Sequence, residues 1–349
     1  MQLLNLGSAA YRILWILLLL GLPWSALAQH FVYVMSADAN QVSVIDPVPG
    51  VVVQTVSGFE FPFMGALDRT GVRIWISNRG TEVSRDAGWS TLSVYNTLTQ
   101  SVTLDIPLPP GPAGVAVDSA GRFVYVASLF RNALVVVSTI SSRIVDIIPV
   151  GNVPHHVAAH PTENWIYAVN FGGNSVSVVD GNNRVETQRI NVGSGPHGIA
   201  LTPDGQKAYV PNMFSNDVSV IDLVSETVVA TIPGGLGPLS AAVNPQGTLA
   251  YITNRRSNDV SVIDVATDTI VATIPVGLRP LGVQVSPAGD VVYVANRDSH
   301  SVSVINAGTN QAIREINVPL GPLGLVVVPL CHQGWPRCPL QADSLIRYP

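Results

Sequence analysis

Apolar and polar residues alternate in short runs along this chain, and the runs recur on a fixed spacing. Asp217-Val218-Ser219-Val220-Ile221-Asp222 is one such run, and period-two alternation is the mark of a strand. The unit around it, residues 196–237, holds three further runs. Pro196 to Leu201 is apolar, and Thr202-Pro203-Asp204-Gly205 breaks it with turn residues, Pro fixing φ and Gly accepting φ > 0. Ala208-Tyr209-Val210 follows, and after the alternating run comes the β-branched stretch Thr227 to Ile232. An aromatic residue anchors each repeat at Tyr33, Trp75, Tyr125, Tyr167, Tyr209, Tyr251 and Tyr293, at intervals of 42 residues five times and 50 once.

A repeat of this length signals a solenoid, a propeller or another array. Helical solenoids need apolar positions 3.6 residues apart, and none are present. Four short strands per unit is the grammar of a propeller blade. The chain enters at the second strand of a unit, Phe31 to Met35, and ends with a lone copy of the missing first strand, Pro322 to Val327. The expected fold class is therefore all-β: one seven-bladed propeller over 29–330, four antiparallel strands per blade, the seventh blade closed by the two ends. Closure removes free sheet edges.

The units YVAN (293–296), SNDVSVID (257–264) and VATIPVG (271–277) resemble the YVTN-type β-propeller repeats, across essentially the whole chain after residue 28. A leader followed by one propeller is similar to the YncE-like periplasmic proteins. The resemblance specifies fold far better than function. Related propellers occur in surface-layer proteins, nitrite and nitrous-oxide reductases, amine dehydrogenase subunits and lactonase-like enzymes.

Residues that obey the repeat are read as scaffold. Asp46, Asp180, Asp222 and Asp264 end third strands and are expected to accept turn hydrogen bonds. Asn170, Asn212, Asn254 and Asn296 end second strands and are expected to hold the following loop.

Departures from the repeat carry the functional expectations. The residue after each unit's first proline reads Phe63, Ala113, His155, His197, Leu239, Leu281 and Leu323. That position begins the innermost strand, at the mouth of the central channel. His155, His156 and His197 are thus the candidate metal site, against hydrogen-bonded or solvated histidines. His160, on the opposite face, is expected to be a cap. The 50-residue interval inserts a loop between Asn78 and Ser90 on the histidines' face, bringing Arg79, Arg85 and Trp89. The corresponding loops offer Phe130, Phe171 and Phe214 in blades two to four, then Arg255, Arg256 and Arg297 in blades five and six, with Arg279 nearby. Exposed Phe beside Arg suggests a ligand or partner that is part apolar and part anionic.

Composition narrows the classes further. Charged residues are 12% of the chain and the formal net charge is −5, which argues against nucleic acid or an anionic membrane as the main partner. Arg12, the apolar stretch Ile13 to Leu22 and Ala26-Leu27-Ala28 have the layout of a secretory signal peptide over 1–28, so export to the periplasm or medium is expected. No later stretch is long enough to span a membrane, and a monomer is expected. Cys331 and Cys338, in the tail 331–349, are expected to form a disulfide. With His332 they are too few for a closed zinc site. No haem-attachment motif, phosphate-binding glycine loop, nucleophile elbow or calcium loop is present.

No cofactor is expected, with a metal at the channel mouth as the alternative. No catalytic residue is assigned. The expectation is a non-enzymatic scaffold that binds a protein, an envelope component or a small molecule through its upper face. The alternative is a lactonase- or lyase-like enzyme, or a metal- or redox-accessory protein, using the histidines. The ring after the prolines holds no acid, which weighs against catalysis.

Overall fold

A computed structural model describes residues 30–80 and 90–329. They form seven four-stranded antiparallel sheets. Blades one to six take residues 62–107, 112–149, 154–191, 196–233, 238–275 and 280–317. The seventh joins His30–Ser36, Gln41–Asp46 and Val51–Ser57 to the last strand, Pro322–Pro329, which pairs with His30–Ser36 in the order Tyr33↔Val326 and Val34↔Leu325. The closure expected from the two ends is the one observed.

Burial follows position within the blade. The second and third strands are covered on both faces by neighbouring blades, while the fourth lies at the rim; Val51–Ser57 alternates between exposed and half-buried residues. All six tyrosine anchors and Trp75 are buried. Tyr167 and Val169 of blade three pack with Ala208, Val210 and Ile221 of blade four in one apolar cluster between the sheets.

The alternation in the third strand does not mean one wet face. Ser177, Ser219, Ser261 and Ser303 are all buried. Each accepts a hydrogen bond from the Nδ2 of the asparagine ending the previous strand: Asn170 (2.8 Å), Asn212 (2.9 Å), Asn254 (2.8 Å) and Asn296 (2.8 Å). The polar period is thus an internal ladder that satisfies groups which would otherwise be costly to bury. It also explains a recurring glycine: a Cβ on Gly235 would lie 2.5 Å from the Asn254 side chain. The aspartates accept turn amides as expected, Asp222 from Val224 (3.1 Å) and Ser225 (2.7 Å). Asn254→Ala leaves Ser261 and Asp259 without their shared donor and is expected to cost about 1–3 kcal/mol, measurable by urea unfolding.

The only lysine ties two blades together. Lys207 Nζ of blade four lies 2.8 Å from Asp268 Oδ2 of blade five, and Tyr209 donates to Asp268 Oδ1 at 2.6 Å.

Six of the seven inner strands shift register just after their first proline, as between Pro154 and His156 or Pro238 and Ser240. A bulge re-aims a side chain, and here it affects the post-proline residues that ring the channel mouth.

Candidate functional site

Two positions of the repeat build the upper mouth of the channel. One is the post-proline ring. The other follows the end of each second strand, and reads Ala37, Arg79, Leu129, Phe171, Met213, Arg255 and Arg297. Together they enclose a cavity of about 180 Å³ walled by Arg79, Arg255, Arg279 and Arg297, by His155 and His197, and by Phe63, Leu239, Leu281 and Leu323. Among the described residues no carboxylate lines it.

Arg279 reaches the chamber from the left-handed pre-proline position of its blade. There blades two, four, five and seven have Gly111, Gly195, Gly237 and Gly321, and blades one and three have Phe61 and Val153, all with positive φ. Its own φ is +54°, a left-handed conformation that costs an L residue roughly 1–2 kcal/mol.

The two histidines are brought together by adjacent blades. Their ring centroids are 3.8 Å apart at 41°, with Phe171 edge-on to His197 and Phe63 edge-on to His155. Arg79 donates from Nη2 to His155 Nε2 at 3.2 Å and from Nε to the Pro112 carbonyl at 3.2 Å, and its guanidinium lies 3.4 Å from the Phe63 ring centroid. Arginine only donates, so His155 Nε2 is the acceptor and its proton sits on Nδ1. Among the described residues that buried Nδ1 has no hydrogen-bond partner, as is also true of His197 Nδ1. A buried donor without an acceptor is costly, and a ligand oxygen would satisfy it.

Both imidazoles are held neutral. Burial, then His197, Arg79 and His156, push His155 well below its ordinary value. Burial, then His156, Arg79 and Arg255, bring His197 down to about 3. Burial lowers His156 to about 4. The unfolded chain, with ordinary histidines near 6.5, therefore binds more protons than the native state below that pH. Stability is whole above about pH 6.5 and falls as pH drops toward 4 and 3, by up to about 1.4 kcal/mol per pH unit for each imidazole. Urea unfolding at pH 7 and pH 5 should show this slope, flattened in His156→Gln/His197→Gln.

The arginines differ in how they are compensated. Arg297 pairs with Asp38 at 3.0 Å and Arg279 with Asp298 at 3.4 Å. Arg255 forms no ion pair among the described residues; its Nη1 points at the Met213 sulfur, 3.7 Å away. Burial and the charges of Arg279, Arg256 and Arg297 lower its pKa, with Asp298 acting in the opposite direction. Arg255 is thus a chamber arginine without a direct carboxylate partner among the described residues.

The candidates do not all converge. Arg79, Arg255, Arg297, His155 and His197 line the chamber, and Phe171 backs the histidines. Phe130, Phe214 and Arg256 are exposed on the rim, Phe214 packing edge-on against Phe171. Arg85, Trp89, Cys331 and Cys338 lie outside the described residues. His156 faces a second, deeper cavity of about 360 Å³, with Ser240, Gln284 and the small residues Gly65, Ala66, Ala200 and Ala241. The three histidines therefore divide between two cavities, and among the described residues no three His, Cys, Asp or Glu side chains form a group able to hold a metal. His160 is the cap expected, accepting the Glu163 amide at Nδ1 (2.9 Å) with Nε2 3.1 Å from the Gly205 carbonyl oxygen.

Comparisons with known proteins follow this geometry. The sequence model of the family described as "Lactonase, 7-bladed beta-propeller" matches residues 151–317. No curated protein sequence matches the chain. Among solved structures, a protein of unknown function from Desulfotomaculum acetoxidans is similar with a TM-score of 0.75 at 14% identity, over 85% of this chain and 98% of that one. Kuenenia stuttgartiensis hydrazine synthase is similar with a TM-score of 0.67 at 19% identity, over 75% and 88%. The dihydro-heme d1 dehydrogenase NirN has a TM-score of 0.61 at 14% identity, over 82% of this chain and 63% of its own. At these identities the likeness is one of fold.

Proposed function

We propose that this protein is an exported, YVTN-type propeller that captures a small organic anion in the chamber at its channel mouth. The observation that carries the proposal is the conjunction, among the described residues, of Arg255 without an ion pair and the buried His155 Nδ1 donor without an acceptor. A carboxylate supplies both a counter-charge and acceptors, and charge-assisted hydrogen bonds are the strong ones. The walls of Phe63, Leu239, Leu281 and Leu323 favour a ligand whose remainder is partly apolar. Export rests on the leader pattern of residues 1–28, and the binding role continues the expectation of an upper-face partner.

A second reading is hydrolysis of a lactone. It is favoured by the family match, whose range includes His155, His197, Arg255, Arg279 and Arg297. A neutral imidazole can take a proton from water, and guanidinium groups can stabilise an oxyanion.

One pair of assays separates the two. Acetate, succinate, benzoate and citrate are titrated by calorimetry, and a panel of γ- and δ-lactones is followed by pH-stat. Carboxylate binding without lactone turnover supports the binding protein. Turnover abolished by His155→Ala and His197→Ala would replace it with the hydrolase. Neither binding nor turnover would contradict both.

A further inference from the structure

Blade four is built differently from its neighbours at the histidine it contributes. Its inner strand is reduced to Ala200–Leu201, preceded by a single bridge between Pro196 and Asn212. The other inner strands run six residues or more. In blade three the ladder resumes at His156↔Val169, in blade five at Ser240↔Thr253 and in blade one at Met64↔Ser77. Blades two, six and seven skip that pair at Gly114, Gly282 and Gly324, yet pair the next residue: Val115↔Val126, Val283↔Val294 and Leu325↔Val34. In blade four the equivalent residues Gly198 and Ile199 both stay unpaired, and pairing returns only at Ala200↔Tyr209.

The residue opposite the break is Pro211, where the other blades have Met35, Ser77, Ala127, Val169, Thr253 and Ala295. Its carbonyl accepts the His197 amide at 3.0 Å, so this backbone edge faces the inner strand. Proline has no N–H to return, and a proline in a central strand removes a ladder bond. The unpaired residues, Gly198 and Ile199, directly follow His197, which lies on His155 and against Phe171.

We propose that Pro211 is a positioning residue: by withholding one ladder donor it frees the start of blade four's inner strand, so that His197 stacks on His155 in the chamber wall. Its functional consequence rests on the anion-binding reading above, but the positioning itself is testable without any ligand. Pro211→Ala introduces the residue that blades two and six carry, and Pro211→Thr that of blade five.

The test is NMR on the full chain with labelled histidine. In both variants the new residue-211 amide should exchange at least roughly a hundredfold more slowly than an exposed amide, reporting the restored bond. The cross-ring contacts between His155 and His197 should be lost. Succinate affinity, read separately by calorimetry, should fall roughly three- to tenfold, with the melting temperature unchanged or higher. A fast-exchanging residue-211 amide, or a restored bond with the rings still stacked, would overturn the proposal. Rings that separate without any change in succinate affinity would leave Pro211 its positioning role and remove His197 from the anion site.

Discussion

Replacing Arg255 with alanine is expected to weaken carboxylate binding roughly ten- to a hundredfold at pH 7, with no loss of thermal stability. The magnitude is that of one charge-assisted hydrogen-bonding partner, about 1.5–3 kcal/mol, converted at about 1.4 kcal/mol per tenfold. The two halves of the result have separate causes. Affinity falls because Arg255 lines the chamber with no ion pair among the described residues and feels Asp298 only from beyond ion-pair distance, whereas Arg279 and Arg297 pair directly with Asp298 and Asp38. Stability holds because Arg255 sits among like charges that work against its own ionisation, and removing it relieves that repulsion. Arg255→Lys should recover only part of the affinity, since an ammonium cannot offer the planar fork. Arg256→Ala is the control: Arg256 is exposed and does not line the chamber, so affinity should change less than twofold. Titration calorimetry reads the affinities and a melting curve the stability. Equal losses in the Arg255 and Arg256 variants would reduce the effect to general surface charge.

Ending the chain at Gly321 should abolish the monomeric fold, whereas ending it at Pro329 should not. The difference is one strand, Pro322–Pro329, which buries Leu323, Leu325, Val326 and Val328 almost completely. At about 1.5–3 kcal/mol for each buried aliphatic side chain, the loss is of the order of the whole stability of a typical domain, about 5–15 kcal/mol. The same deletion exposes the inner edge of His30–Ser36, and a bare strand edge invites pairing with another chain. Circular dichroism and light scattering should therefore report lost cooperativity and association for the shorter chain. A synthetic 322–329 peptide should restore a monomer by occupying the open edge. A shorter chain that melts cooperatively as a monomer at the longer chain's temperature would contradict the closure as the fold's keystone.

The architecture was legible because each level of the sequence pointed to the same answer. The aromatic anchors gave the period, the turn residues the strand limits, and the two incomplete ends the closing blade. The site was legible in part. His155 and His197 stood out as breaks in the post-proline ring, and Arg255 and Arg297 as breaks in the loops after the second strands. What the sequence did not reveal is where the side chains of a bulged strand go. His155 and His156 are neighbours in the chain, yet they line different cavities. The buried serines were hidden for a similar reason: their alternation looks like that of a half-wet strand until both faces are seen covered. Two signals were present and unused. Arg279 stands where four blades have glycine, and Pro211 stands inside a central strand. Both break a local backbone rule, and such breaks tend to collect at functional sites.

The most direct measurement is a crystal structure of the protein with succinate, or whichever carboxylate of the panel binds most tightly. The predicted result is a carboxylate group in the mouth chamber, within about 3 Å of the Arg255 guanidinium, with the His155 Nδ1 as a second partner. A carboxylate bound in the deeper His156 cavity or on the outer face, with the mouth chamber holding only water, would contradict the account.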